Sequence, residues 1–185
     1  MMDQYMDIKT EHPDSVLFFR MGDFYEQFHE DAVISSEVLG IALTSRDKKA
    51  DKPIPMAGFP WHALEDNLRQ MLQSGHKVCV AEQEDELREG AKLLERNVTR
   101  VYTPGSLYEE SLIGTDEIAG LAAICVKADG VGLAILDAST GHVWTMEHHG
   151  DERWDRLLDD LLRSNPREVI FAAREADKED IRNVI

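Results

Sequence analysis

Phe24 and Glu26 stand two residues apart within the run Phe19-Arg20-Met21-Gly22-Asp23-Phe24-Tyr25-Glu26-Gln27-Phe28. A flat apolar ring beside a carboxylate has two chemical uses on a nucleic acid. The ring stacks on a base without regard to its identity, a contact worth about 1–3 kcal/mol. A ring inserted between bases can likewise replace stacking that is lost where the duplex is distorted. The carboxylate only accepts hydrogen bonds when ionised, but once protonated it donates one. Among phosphates in a desolvated groove, like charge and burial both favour the neutral acid, which then reaches an acceptor such as a purine N7. Gly22, with no Cβ, lets the backbone come close to such a groove. A second reading stays open, because Asp23-x-x-Glu26 also fits a helix capping box, with Asp23 as N-cap and Glu26 reaching back to its amide. Residues two apart share a face only in extended chain, so the pair acts together only if this segment is not yet helix.

Other candidates are more diffuse. The loop Ser45 to Lys52 is the most cationic stretch of an acidic chain, and Arg46, Lys48 and Lys49 suit phosphate contact, although short charged loops are commonly just solvated. Asp137 closes an apolar strand where ribonuclease H-like nucleases carry a metal-binding aspartate, but it has no identifiable partner carboxylate, and its place in Asp-Ala-Ser-Thr-Gly suits a turn bonded to its own backbone. His62 and Asp66 are spaced four apart with no second pair at ligand spacing, so no metal is expected. No Gly-x-x-x-x-Gly-Lys-Ser/Thr loop occurs, and no nucleotide chemistry or catalysis is expected of this chain.

The elements that must carry these residues follow from periodicity. Met2, Tyr5, Met6 and Ile8 predict a helix over 2–11 closed by His12-Pro13, and Val16 to Arg20 predicts a buried strand. Phe28, Ala32, Ser35 and Leu39 predict one helix over 24–39, capped by Gly40. Strands are expected at 41–44, 77–81 and 98–102, a helix through Leu64, Leu68, Met71 and Leu72 up to Gly75, and a solvated charged stretch over 82–95. Thr103-Pro104-Gly105-Ser106 is expected to turn with positive φ at the glycine. Strands then follow at 119–127, 131–137 and 142–147, an amphipathic helix through Trp154, Leu157, Leu158, Leu161 and Leu162, a strand at 168–172 and a last helix running to Ile185. The expectation is two α/β domains, residues 1–108 with a mixed sheet and flanking helices, and residues 115–185 as the start of a second.

Charge restricts partners. With 20 Lys and Arg against 36 Asp and Glu in 185 residues, the net charge is −16, and the chain as a whole repels a polyanion, so DNA contact must be local or assisted. Cys79 and Cys125 lie in apolar strand-like runs and read as buried free thiols of a reducing, cytoplasmic setting. No segment has the length of a membrane span or the pattern of a leader.

The run around Phe24, together with Pro53-Ile54-Pro55-Met56-Ala57-Gly58-Phe59-Pro60 and Val101-Tyr102-Thr103-Pro104-Gly105, resembles the MutS family of mismatch-repair proteins. Leu136 to Gly141 and Arg163-Ser164-Asn165-Pro166 are similar to that family's connector domain, a ribonuclease H-like α/β fold without catalysis. The resemblance implies a Phe-x-Glu motif at Phe24 and Glu26 that inserts at mispaired or unpaired bases, and a basic DNA-facing position at Arg96 or Arg100. It further implies mismatched double-stranded DNA as ligand, a MutL-type partner on the connector, a homodimer in the longer protein, and ATP and Mg confined to an ATPase domain absent from this chain. One departure stands out: Glu84-Asp85-Glu86-Leu87 lacks the proline common there in the family, which puts the contacts around Arg96 in doubt. Two rival functions remain, an acidic protein-docking module with Phe24 in its core, and a ribonuclease H-like nuclease centred on Asp137.

Overall fold

The computed structural model describes residues 1–47, 52–84, 94–106, 120–175 and 181. Lys48, Lys49, most of the 82–95 stretch including Asp85 to Leu87, the expected linker around 108–115 and nearly all of the last helix lie outside the described residues. The chain divides into two compact units, Met1–Thr103 and Pro104–Ile185.

The first unit is a six-stranded mixed sheet in the order β3-β4-β2-β1-β5-β6. Its strands are β1 (Ser15–Met21), β2 (Phe24–Phe28), β3 (Thr44–Arg46), β4 (Ile54–Pro60), β5 (Lys77–Gln83) and β6 (Arg96–Tyr102). The apolar β1 and β5 run parallel at the centre, with Leu17, Phe18, Phe19, Val78, Cys79 and Ala81 almost wholly buried. Helix α1 (Met2–Glu11) places Tyr5 and Ile8 against Leu17, Phe19 and Phe28. Helix α2 (His29–Leu39) ends at Gly40 in the left-handed conformation. Helix α3 (Leu64–Gln73) buries Leu68, Met71 and Leu72.

Residues 24–28 correct the expectation of one continuous helix over 24–39. Gly22, at φ +59°, and Asp23 form a two-residue turn, and Met21 pairs with Phe24 across a hairpin. The helical repeat holds only from Phe28 onward. The strand expected at 41–44 pairs instead over Thr44–Arg46, opposite Met56 to Ile54 of β4. One polar cluster ties three elements together: the Asp31 carboxylate accepts from the Tyr5 hydroxyl at 2.7 Å, the Leu17 amide at 3.0 Å and Lys9 Nζ at 3.0 Å.

The second unit has a four-stranded sheet in the order β10-β7-β8-β9, built from β7 (Gly120–Val126), β8 (Gly130–Asp137), β9 (His142–His149) and β10 (Glu168–Phe171). Helix α4 (Arg153–Ser164) covers one face, packing Leu157 and Leu161 on Ala122, Ile124, Val131, Leu133 and Ile135. Cys125 corrects the expectation of two buried thiols: it alternates onto the other face and is exposed, whereas Cys79 is buried with its thiol pKa pushed up to about 11 by desolvation. Pro104–Ser106 is a single 3₁₀ turn, and Gly105 does not take the positive φ expected of it. A Cβ there would lie 2.8 Å from Glu168 Cβ, so the glycine serves close approach instead.

Candidate nucleic-acid interface

Strand β2 runs from solvent into the core within five residues. Alternation puts Phe24, Glu26 and Phe28 on one face of the sheet, the face that α1 covers further along, and turns Tyr25 and Gln27 to the other. Phe24, first after the turn, is 46% exposed, while Phe28 is 0% exposed and meets the Tyr5 ring edge-on at 5.1 Å. The capping box therefore does not form: Glu26 is in a strand, and α2 begins at His29 with no side-chain cap bond. The exposure of Phe24 also counts against a docking module that uses it as core.

Glu26 faces Phe19 on β1 and Gly58 on β4. A Cβ at position 58 would lie 3.0 Å from the Tyr25 carbonyl oxygen, so the glycine allows β4 to approach the backbone of β2 closely, and at 3.6 Å from Glu26 Cγ that Cβ would only touch the side chain. Sequence reading quoted Gly58 without assigning it a role, although a glycine inside an otherwise apolar strand is a signal of close approach. Burial raises the Glu26 pKa, opposed in part by the positive charges of Arg46 and Arg96. The two arginines come from the opposite edges of the sheet, β3 and β6.

The predicted cations separate on inspection. Arg46 lies half-buried with its guanidinium carbon 5.8 Å from the centre of the Phe28 ring and Nη1 3.5 Å from Met1 Sδ, and among the described residues no carboxylate is bonded to it. Arg96 is turned inward: it donates to the carbonyls of Arg20 (3.0 Å) and Leu94 (2.8 Å) and to the side-chain oxygens of Gln83 (2.8 Å) and Gln4 (3.3 Å), and stacks on Phe19 at 5.2 Å. Most of its donors are thus satisfied within the protein. In the second unit, the Asp137 carboxylate accepts from the Ser139 amide (3.0 Å) and the Ser139 (2.6 Å) and Thr140 (2.7 Å) hydroxyls, bonds that hold its pKa below the usual carboxylate range. Among the described residues no three His, Cys, Asp or Glu groups come together as a metal site, and no helix is long and apolar enough to cross a membrane.

Residues 1–111 match the family model for MutS domain I, and residues 119–185 that for MutS domain II. The chain belongs to the MutS family. It is similar to the DNA mismatch repair protein MutS of Myxococcus xanthus, at 42% identity over 100% of this chain and 20% of the relative. It is also similar to the MutS proteins of Anaeromyxobacter dehalogenans, at 43% identity over 94% of this chain and 19% of the relative, and Rickettsia bellii, at 44% over 93% and 20%. The chain thus spans about one fifth of the length of these curated relatives. The six-stranded unit with its Phe24 hairpin lies within the MutS domain I match, and the sheet packed on α4 lies within the MutS domain II match.

Proposed function

We propose that this chain recognises mismatched duplex DNA as part of a mismatch-repair protein, with Phe24 inserted as a wedge at the mispair and Glu26 bonding the displaced base. The observation that carries this is the exposed Phe24 ring at a hairpin tip, on the same strand face as a half-buried carboxylate. A side chain that must enter DNA has to be exposed beforehand, and an acid whose pKa burial has raised needs less to take up the proton that makes it a donor. Arg46, with Lys48 and Lys49 beside it in sequence, is the better candidate for phosphate contact. Arg96 is better read as support for the sheet beneath Glu26.

With a net charge of −16, the chain depends on other parts of a longer protein to grip DNA. In that protein we propose a homodimer in the cytoplasm, a MutL-type partner on the second unit, and ATP and Mg bound elsewhere, with no catalysis in this segment. Membership of the MutS family and similarity to DNA mismatch repair proteins support the repair role over the docking module, and the turn-bonded Asp137 speaks against a nuclease.

The test is binding of mismatched and matched duplexes by a full-length MutS protein that carries this segment, as wild type, Phe24→Ala and Glu26→Ala. Loss of one base-stacking contact predicts a fall in mismatch preference of about five- to a hundredfold for Phe24→Ala. An unchanged ratio of the two affinities in both variants would refute the assignment.

A further inference from the structure

We infer that Arg20 and Trp61 form a brace behind the hairpin tip that fixes the direction in which Phe24 leaves the sheet, making them positioning residues for mismatch reading and not DNA contacts. The inference rests on the wedge reading of Phe24.

The turn that carries Phe24 has only two residues, Gly22 and Asp23, and both are tied from behind. Trp61 directly follows Pro60, the pairing partner of Phe24, and its amide donates to the Asp23 carbonyl at 2.9 Å. Arg20 Nε donates to the Gly22 carbonyl. The Arg20 guanidinium then lies against two rings, 5.2 Å from the centre of Trp61 and 5.4 Å from that of Tyr25. Tyr25, paired with Arg20 across the hairpin, is itself tied by its hydroxyl to the Glu82 carboxylate on β5. The stack therefore links β4, the hairpin and β5 on the face opposite Phe24.

Two features favour positioning over direct contact. Trp61 is 51% exposed, so core burial contributes little to keeping it there, and its ring is held by the Arg20 cation beside it and an edge-on contact with His62 at 6.3 Å. The hollow that Arg20 and Trp61 line also contains Glu65 and Glu82, whose charges repel a phosphate backbone. Meanwhile Phe24 is the first residue after the turn and inherits its direction from it. A turn held in one conformation before binding spares the ordering cost of insertion, and that saving appears as affinity for the distorted duplex.

The experiment uses a full-length MutS protein carrying this segment, and measures affinity for mismatched and matched duplex across a salt series. The variants are Trp61→Ala, Trp61→Tyr, Arg20→Gln and Phe24→Ala. Trp61→Ala and Arg20→Gln are expected to lower mismatch preference about five- to tenfold. Trp61→Tyr keeps a ring for the guanidinium and is expected to retain the preference. All variants should keep the wild-type slope of log affinity against log salt. If Arg20→Gln instead weakens both duplexes equally and reduces that slope by about one, Arg20 is a phosphate contact and the brace is overturned. If Phe24→Ala loses preference while Trp61→Ala and Arg20→Gln keep it, the brace alone fails. If Phe24→Ala keeps its preference, the wedge reading fails and the brace with it. Should Trp61→Ala not fold, Arg20→Gln set against Trp61→Tyr still decides.

Discussion

Phe24 and Phe28 occupy the same face of one short strand, so truncating each to alanine separates exposure from core with the chemistry held constant. Phe28 is 0% exposed and packs on Tyr5, and its loss leaves a cavity in the layer between α1 and the sheet. Removing a fully buried phenylalanine costs about 3–5 kcal/mol, a large part of the stability of a domain this size. Phe24 is 46% exposed. Full burial of such a side chain contributes roughly 1.5–3 kcal/mol, so the half that is covered contributes roughly 0.8–1.6 kcal/mol. The natural assay is native-state amide exchange in β1 and β5, the centre of this sheet, which reports the unfolding free energy of the first unit without interference from the second. Phe28→Ala should accelerate exchange at Leu17 to Phe19 and Val78 to Ala81 by two orders of magnitude or more, on the order of the core penalty, and Phe24→Ala by no more than about fifteenfold. Equal acceleration in the two variants would show that Phe24 is core in solution, and the wedge would have no free side chain to insert.

Glu26→Gln should leave the free chain at least as stable as wild type at neutral pH. Because burial raises the folded-state pKa of Glu26 above its unfolded value, the folded state holds the proton longer, and wild-type stability falls as pH rises through that window. The advantage of Glu26→Gln should therefore vanish as pH falls below the unfolded carboxylate pKa. A pH-independent difference in paired denaturation curves would disprove it. On mismatched DNA, wild-type binding should strengthen relative to Glu26→Gln as pH falls, and Glu26→Gln should discriminate less at neutral pH. Asp31→Ala leaves the Leu17 amide, the Tyr5 hydroxyl and Lys9 without their shared acceptor, and should cost about 3–5 kcal/mol; a loss below about 1 kcal/mol in urea unfolding would mean that water replaces the carboxylate. The 185-residue chain alone should bind DNA weakly and with little mismatch preference because of its −16 charge, and a tight, mismatch-selective gel shift would contradict that.

Most of the fold was legible where periodicity was long or punctuation was firm. The apolar runs at β1 and β5, the Gly40 cap and the small turns joining β7, β8 and β9 are all local signals. The segment 24–28 was not, because aromatic residues at 24, 25 and 28 fit a strand and a helix equally over five residues. Pairing with β1 on one side and β4 on the other decides it, and that pairing is non-local. Arg96 shows a different limit. The resemblance marks it as a basic DNA-facing position, yet its donors end on the Arg20 and Leu94 carbonyls, which no pattern of residue types reveals. Trp61 likewise reads as one more aromatic until the Arg20 guanidinium is seen beside it.

The organisation of β2 explains how a site for an unfavourable task is kept in a stable domain. Its inner end is over-determined: Phe28 is wholly buried, its backbone amide donates to the Tyr5 hydroxyl at 3.2 Å, and that hydroxyl donates in turn to Asp31. Two residues outward, Glu26 carries a desolvation cost of which the charges of Arg46 and Arg96 offset a part. Two residues further, Phe24 leaves an apolar ring in water at the tip. Each outward step trades stability for chemistry, while the tip is held by its own pairing, Phe24 with Met21 of β1 and Pro60 of β4. Substitutions at Phe28 or Asp31 should consequently reduce DNA reading only through the amount of folded protein, whereas substitutions at Phe24 or Glu26 should alter selectivity per folded molecule. Normalising binding to the folded fraction separates the two classes, and a Phe28→Ala protein that is folded yet unselective would show that the inner end positions the wedge as well as anchoring it.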